Sequence, residues 1–341
     1  MAAQQRIKTT VVGSYPIPDW LAAMPTEQAL IDATRVVLAT QEEAGIDLVC
    51  DGELYRFDLN HPETNGMIEY FVRPMAGIRT DVTFDELVAY RSEPGMRFRT
   101  RPPGVVDGPV SSGTLDLPHA YQRAKQLTAK PFKFTITGPH MLAKTLVDHH
   151  YRDRAALAHA IADALAEQVR HIDAEVVQLD EANLPGSPSE WQWAASAINR
   201  VLDAVKGVPA VHLCFGNYGG QSIQKGSWNK LINYLNALHV DHIVMENAHR
   251  PVEELAAFNE LRPEIGMGLG VVDIKRTEVE TPDQIARAIE HAERTIGRGR
   301  IKYIHPDCGF WMLKRPIADA KIRALTLGRD LYEGRSDSSA A

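Results

Sequence analysis

The stretch VPAVHLCFGNYGG, residues 208–220, runs from apolar and β-branched residues into a histidine and a cysteine two positions apart, then into glycines. A strand buried in a parallel sheet stays apolar nearly throughout, yet this one closes on His212 and Cys214. Residues i and i+2 of a strand share a face, so the two donors point the same way. If the sheet closes into a barrel, that way is inward.

Seven other runs have the same form. TTVVGSY (9–15), DLVCDGE (47–53), FKFTITGP (132–139), EVVQLDE (175–181), DHIVMEN (241–247), GMGLGVVD (266–273) and KYIHPDC (302–308) alternate with segments of helical period. In RAALAHAIADALAEQVRHI (154–172) alanines and leucines recur at helical spacing; TPDQIARAIEHAERTI (281–296) begins with Thr281 as a cap and Pro282 in the first turn. Eight strand–helix units predict an α/β fold, a (β/α)8 TIM barrel. Residues 1–333 read as a single catalytic barrel, and GRSDSSAA (334–341) as a disordered tail. Residues 54–131, rich in proline and glycine and holding one more extended run, GVVDGPV (104–110), predict a lid-like excursion after the second strand, with a hairpin in it.

Composition narrows the function classes. The chain has 341 residues, 44% of them hydrophobic and 24% charged, with a net charge of −7. Basic residues are scattered among acids, which speaks against nucleic acid as a partner. No apolar run approaches the roughly 20 residues of a membrane span, and MAAQQRIKTT lacks the apolar core of a secretory signal, so the expected setting is cytoplasmic, with no membrane partner. The odd set of Cys50, Cys214 and Cys308 suits free thiols, available to metal or chemistry, rather than a disulfide framework.

The strand ends carry the function. Gly13 and Ser14, Asp51 and Glu53, Thr137 and Gly138, Asp180 and Glu181, His212 and Cys214, Glu246 and Asn247, Asp273, and Asp307 with Cys308 all fall at C-terminal ends, where active sites of this fold lie. Among them His212, Cys214, Glu246 and Cys308 offer one imidazole, two thiolates and a carboxylate, a donor set suited to four-coordinate Zn²⁺. Because these donors are spread over three strands, the set resembles an active site more than a structural knuckle. His140, directly after TGP, reads as a proton donor or a polar wall. Cys50 reads as packing, and Trp191 and Trp193 as flanking the cleft or seating a helix.

VVGSYP, DGELYR followed by MIEYF, TITGP, VVQLDEANL, HLC, VMEN, GLGVVDIK and HPDCGF, in this order, resemble the catalytic C-terminal barrel of cobalamin-independent methionine synthases over almost the whole chain. The chain looks like a short, stand-alone core member. The resemblance implies zinc on His212, Cys214, Glu246 and Cys308, and homocysteine held through its amino-acid part by Gly13, Ser14, Glu53 and Asp180. It implies methyl transfer to the homocysteine thiol, giving methionine. Zinc would deprotonate a thiol whose free pKa is about 8.5. Glu246, a hard oxygen among soft donors, would be the ligand that leaves when substrate sulfur enters.

Three departures fall on the donor side. Thr145 stands where the family's pterin-stacking tryptophan would be, RFRTRPPGVVDG (97–108) lacks the serine-rich segment, and Lys275 replaces a histidine that assists folate departure. They imply a donor other than a folate, such as methylcobalamin or a methyl-corrinoid protein, with His140 and Lys275 as candidate catalytic groups. Two other readings stay open: epoxide opening by coenzyme M or a related thiol, with Lys275 on the developing alkoxide, and a non-enzymatic metal- or corrinoid-binding module. Glu53 and Asp180 argue against the first, since carboxylates repel a sulfonate.

Overall fold

A computed structural model of the protein describes residues 6–335 except 59, 62–63, 94–98 and 218–220; most of the expected C-terminal tail, 336–341, lies outside the described residues. The strands are β1 (Lys8–Thr9), β2 (Ala76–Arg79), β3 (Val105–Ser111), β4 (Lys133–Thr137), β5 (Val147–Asp148), β6 (Val176–Glu181), β7 (Val208–Leu213), β8 (His242–Met245), β9 (Gly266–Val272) and β10 (Ile301–Pro306). Seven form one parallel sheet in the order β1-β10-β9-β8-β7-β6-β4. The gap between β1 and β4 is spanned by Leu48, bridged to Thr10, and Val49, bridged to Phe132. The expected eight-membered barrel is therefore present, with its second strand reduced to two bridges.

That strand is short for a local reason. The side-chain amide of Gln41 accepts from the Cys50 N–H at 3.0 Å and donates to its carbonyl at 2.7 Å, taking the place of a strand partner. Two residues later Gly52 and Glu53 adopt φ of 78° and 60°, which turns the chain out of the sheet.

Polar groups fill much of the barrel interior. The register aligns Thr137 with Asp180, and Asp180 with His212. Below them lie buried Lys133, Thr135, Gln178, His242 and His305. The Lys133 ammonium donates to Gln178 Oε1 at 2.7 Å and to the Val11 carbonyl. Burial brings its pKa down to about 8. Glycines of β9 make room: a Cβ on Gly270 would collide with Oδ1 of Asp307 and crowd the Met245 carbonyl. Gly270→Ala is expected to destabilise the chain by about 1–3 kcal/mol through this overpacking, seen as a lower urea midpoint at unchanged slope.

The excursion contains an antiparallel pair, β2 with β3, but a helix stands between the two strands where the sequence predicts a hairpin, and β5 joins β3 in parallel. The helix Phe84–Ser92 between β2 and β3 starts at a Thr83–Glu86 capping box. Near its end, the helix Leu117–Lys125 sets Tyr121 against Phe132 and Phe134, as a barrel helix does. Among the described residues no helix is long and apolar enough to cross a membrane.

Candidate active site

His212 and Cys214, at the end of β7, meet Cys308, just past β10. One donor atom from each lies within 4.8 Å of the others, and the two sulfurs are 3.8 Å apart. His212 Nδ1 is 3.0 Å from the Val244 carbonyl, which can only accept, so Nδ1 carries the proton and Nε2 keeps its lone pair. That Nε2 is buried and has no hydrogen-bond partner among the described residues. The hydrogen bond that Cys214 Sγ accepts from Cys308 Sγ, together with burial, pushes the Cys214 thiol well above its ordinary pKa. Two facing sulfurs cannot both ionise without a cation between them. An orphaned imidazole nitrogen oriented by a carbonyl, with two thiols beside it, fits a zinc ion by the chemistry of the donors.

Glu246 follows β8 and is fully buried. One carboxylate oxygen accepts from the Phe215 N–H at 2.9 Å, the other from Lys275 Nζ at 2.8 Å. Its oxygens fall outside the three-donor cluster. Lys275 follows β9, its N–H donating to Asp273 Oδ1 at 2.8 Å. Burial opposes charge on this ammonium, but Glu246 outweighs it and raises the pKa, with smaller help from Cys214 and Asp307. Asp307 accepts from the N–H groups of Asn247, Ala248 and His249, fixing the loop after Glu246; burial and the Glu246 charge still push it to about 7.

The residues expected to hold the amino-acid part of the substrate lie on the neighbouring strand ends. Glu53 Oε1 accepts from the Thr135 hydroxyl at 2.5 Å, and a Cβ at Gly13 would strike that same oxygen. Ser14 is tied to the cysteine loop: its carbonyl accepts from Phe310 N–H at 2.8 Å, and Gly309 packs on its hydroxyl. Asp180, beside His212 in register, accepts from Gln178 at 2.7 Å and is pushed to about 6 by burial.

Arg56 is a site residue that the sequence reading did not single out. Its guanidinium lies 3.4 Å from Glu53, donates to Thr135, and sits among the rings of Tyr55, Tyr70 and Phe71. The available signal was the basic residue closing DGELYR.

Residues 7–327 match the family described as cobalamin-independent synthase, catalytic domain. The chain belongs to that family. It is 29% identical to a methionine synthase of Thermococcus kodakarensis, covering 95% of this chain and 93% of that one, and 29% identical to one of Pyrococcus furiosus, covering 93% and 90%. Among solved structures it resembles a B12-independent methionine synthase from a Shewanella species in complex with selenomethionine, with a TM-score of 0.79, 24% identity, and coverage of 97% and 98%.

Other candidates in this cobalamin-independent synthase chain are held differently. His140 is wedged between carboxylates, with Nδ1 3.1 Å from Glu181 and Nε2 2.8 Å from Glu190, and its ring lies 4.8 Å from that of Trp193. Burial opposes its protonation, but these carboxylates prevail and raise its pKa. Thr145 is fully buried at the end of the helix Pro139–Thr145, its hydroxyl donating to the Leu142 carbonyl at 2.9 Å. Cys50 packs in the core. A cavity of about 640 Å³ near the start of β1, lined by Arg6, Arg287, Arg294 and Tyr332 among others, shares no residue with this site.

Proposed function

We propose that the chain is a zinc-dependent thiol methyltransferase that converts homocysteine to methionine with a non-folate donor, such as methylcobalamin or a methyl-corrinoid protein. The observation that carries this reading is the convergence of the His212, Cys214 and Cys308 donors, with the buried carboxylates of Glu53 and Asp180 at the neighbouring strand ends. Relatives named methionine synthases support it.

Zinc on those three donors would supply the Lewis acid that keeps a substrate thiol deprotonated near neutral pH. Glu53 and Asp180 receive the ammonium of homocysteine, and Ser14, with backbone beside Gly13, its carboxylate. Arg56 braces Glu53 from behind. In the transfer a sulfur–carbon bond forms and the methyl–donor bond breaks, its electron pair staying with the donor. A corrinoid leaves without a proton, which suits a mouth where both nitrogens of His140 are already bound to carboxylates. Buried Thr145 has no face on which a pterin could stack.

The test is metal analysis followed by assays of homocysteine with methylcobalamin and with methyltetrahydrofolate, and of coenzyme M with an epoxide. Stoichiometric zinc, with methionine formed from the corrinoid alone, is the expected result. Efficient turnover of the folate would overturn the donor assignment, and a zinc-free active protein the mechanism.

A further inference from the structure

We infer that Lys133, acting through Gln178, is a positioning residue that sets Asp180 to receive the substrate's ammonium group. The inference rests on the reading of Asp180 as a partner of homocysteine.

Three buried side chains form the connection. Lys133 opens β4, and Gln178 and Asp180 share a face of β6, the neighbouring strand. They are 1%, 0% and 3% exposed. The Lys133 ammonium donates to Gln178 Oε1 at 2.7 Å, while Gln178 Nε2 donates to Asp180 Oδ1 at 2.7 Å and to the Val12 carbonyl at 3.0 Å. An ammonium can only donate, so the amide atom that faces it must be the oxygen. Lys133 thereby fixes the orientation of the Gln178 amide and turns its nitrogen towards two acceptors. Asp180 is gripped through Oδ1, which leaves Oδ2 to the substrate.

The same two residues reach the other groups expected to hold the amino acid. Lys133 also donates to the Val11 carbonyl, so Lys133 and Gln178 between them tether the two residues that lead into Gly13 and Ser14. Two positions along β4, Thr135 donates to Glu53 Oε1 at 2.5 Å. One strand thus carries the supports of both carboxylates.

Charge argues for more than packing. The two acceptors of the Lys133 ammonium are neutral oxygens. Burial opposes its charge, and the fields of Cys50, Asp180 and Glu53 favour it. A neutral donor would satisfy the same oxygens at a smaller desolvation cost. The ammonium therefore serves the carboxylates at the strand ends.

Steady-state kinetics of the zinc-loaded full chain test this, using the methyl donor that the wild type accepts. Homocysteine is compared with propanethiol, which has neither ammonium nor carboxylate. Lys133→Met keeps the apolar stem of the side chain and removes the charge. It is expected to raise KM for homocysteine about tenfold to a hundredfold, the scale of a hydrogen bond to a charged group, with kcat within about threefold of wild type. Propanethiol methylation should hardly respond. Gln178→Met should behave in the same way, and the doubly substituted chain should be little worse than either single one, because the residues act in series. If Lys133→Met does not fold because Gln178 Oε1 has lost its donor, the doubly substituted chain removes that oxygen too and is compared with Gln178→Met.

A loss of equal size for both thiols overturns the inference and assigns Lys133 to packing. An unchanged KM for homocysteine in a folded Lys133→Met chain overturns it too, as do losses that multiply in the doubly substituted chain. All three leave the homocysteine reading intact. A wild-type chain with no preference for homocysteine over propanethiol overturns that reading and the inference together.

Discussion

Cys308→Ser is expected to strip the metal and lower methionine formation by two orders of magnitude or more. Protein zinc sites are worth about 10–16 kcal/mol over their ligands, so one ligand accounts for roughly 3 kcal/mol, or over a hundredfold in affinity. His212 and Cys214 alone would then compete poorly with buffer and dialysis. Cys308 lies past the end of β10, is only partly buried, and makes no ladder hydrogen bond, so the barrel should keep its near-ultraviolet circular dichroism. Metal analysis after dialysis, beside that spectrum, separates loss of metal from loss of fold. A folded variant that retains stoichiometric zinc would show that the ion, if bound, sits elsewhere.

This site was visible in the sequence because of where its residues fall. In a parallel strand flanked on both faces, polar residues are rare, so HLC, LDE and HPDC stand out at the ends of apolar runs, and strand phase puts His212 and Cys214 on one face. What sequence did not reveal depends on contacts between elements. Glu246 reads as a fourth donor from its place after VM, but Lys275, 29 residues later, reaches it only because the loop after β9 folds back beside β8. His140 reads as a proton donor or a polar wall, and only the turn Pro188–Glu190 brings Glu190 onto its second nitrogen. Arg56 acquires its task from the left-handed backbone at Gly52 and Glu53, a feature that no periodicity encodes. The second strand was overestimated because the Gln41 side chain does what a neighbouring strand would do.

The second large effect concerns the amino-acid end of the substrate. Glu53→Gln keeps the shape of the side chain and an amide oxygen able to accept from the Thr135 hydroxyl, so the pocket's packing is conserved while its charge is lost. With the carboxylate gone, Arg56 loses its paired carboxylate and keeps only the weaker influence of Asp51, beside the place where an ammonium must sit. Breaking a buried charge pair on one side costs about 2–5 kcal/mol, so kcat/KM for homocysteine should fall by roughly 10²–10³. The loss should appear chiefly in KM, because the ammonium is held equally in ground and transition states. Zinc content should be unchanged, since no donor atom is altered. A thiol of the same length without the amino group, 4-mercaptobutyrate, provides the internal control: it has no ammonium to lose, and its slow methylation should hardly respond to Glu53→Gln. If both thiols lose activity equally, Glu53 acts on the shape of the site rather than on the substrate's charge, and the choice of an amino-acid thiol over a sulfonate thiol must rest on other residues.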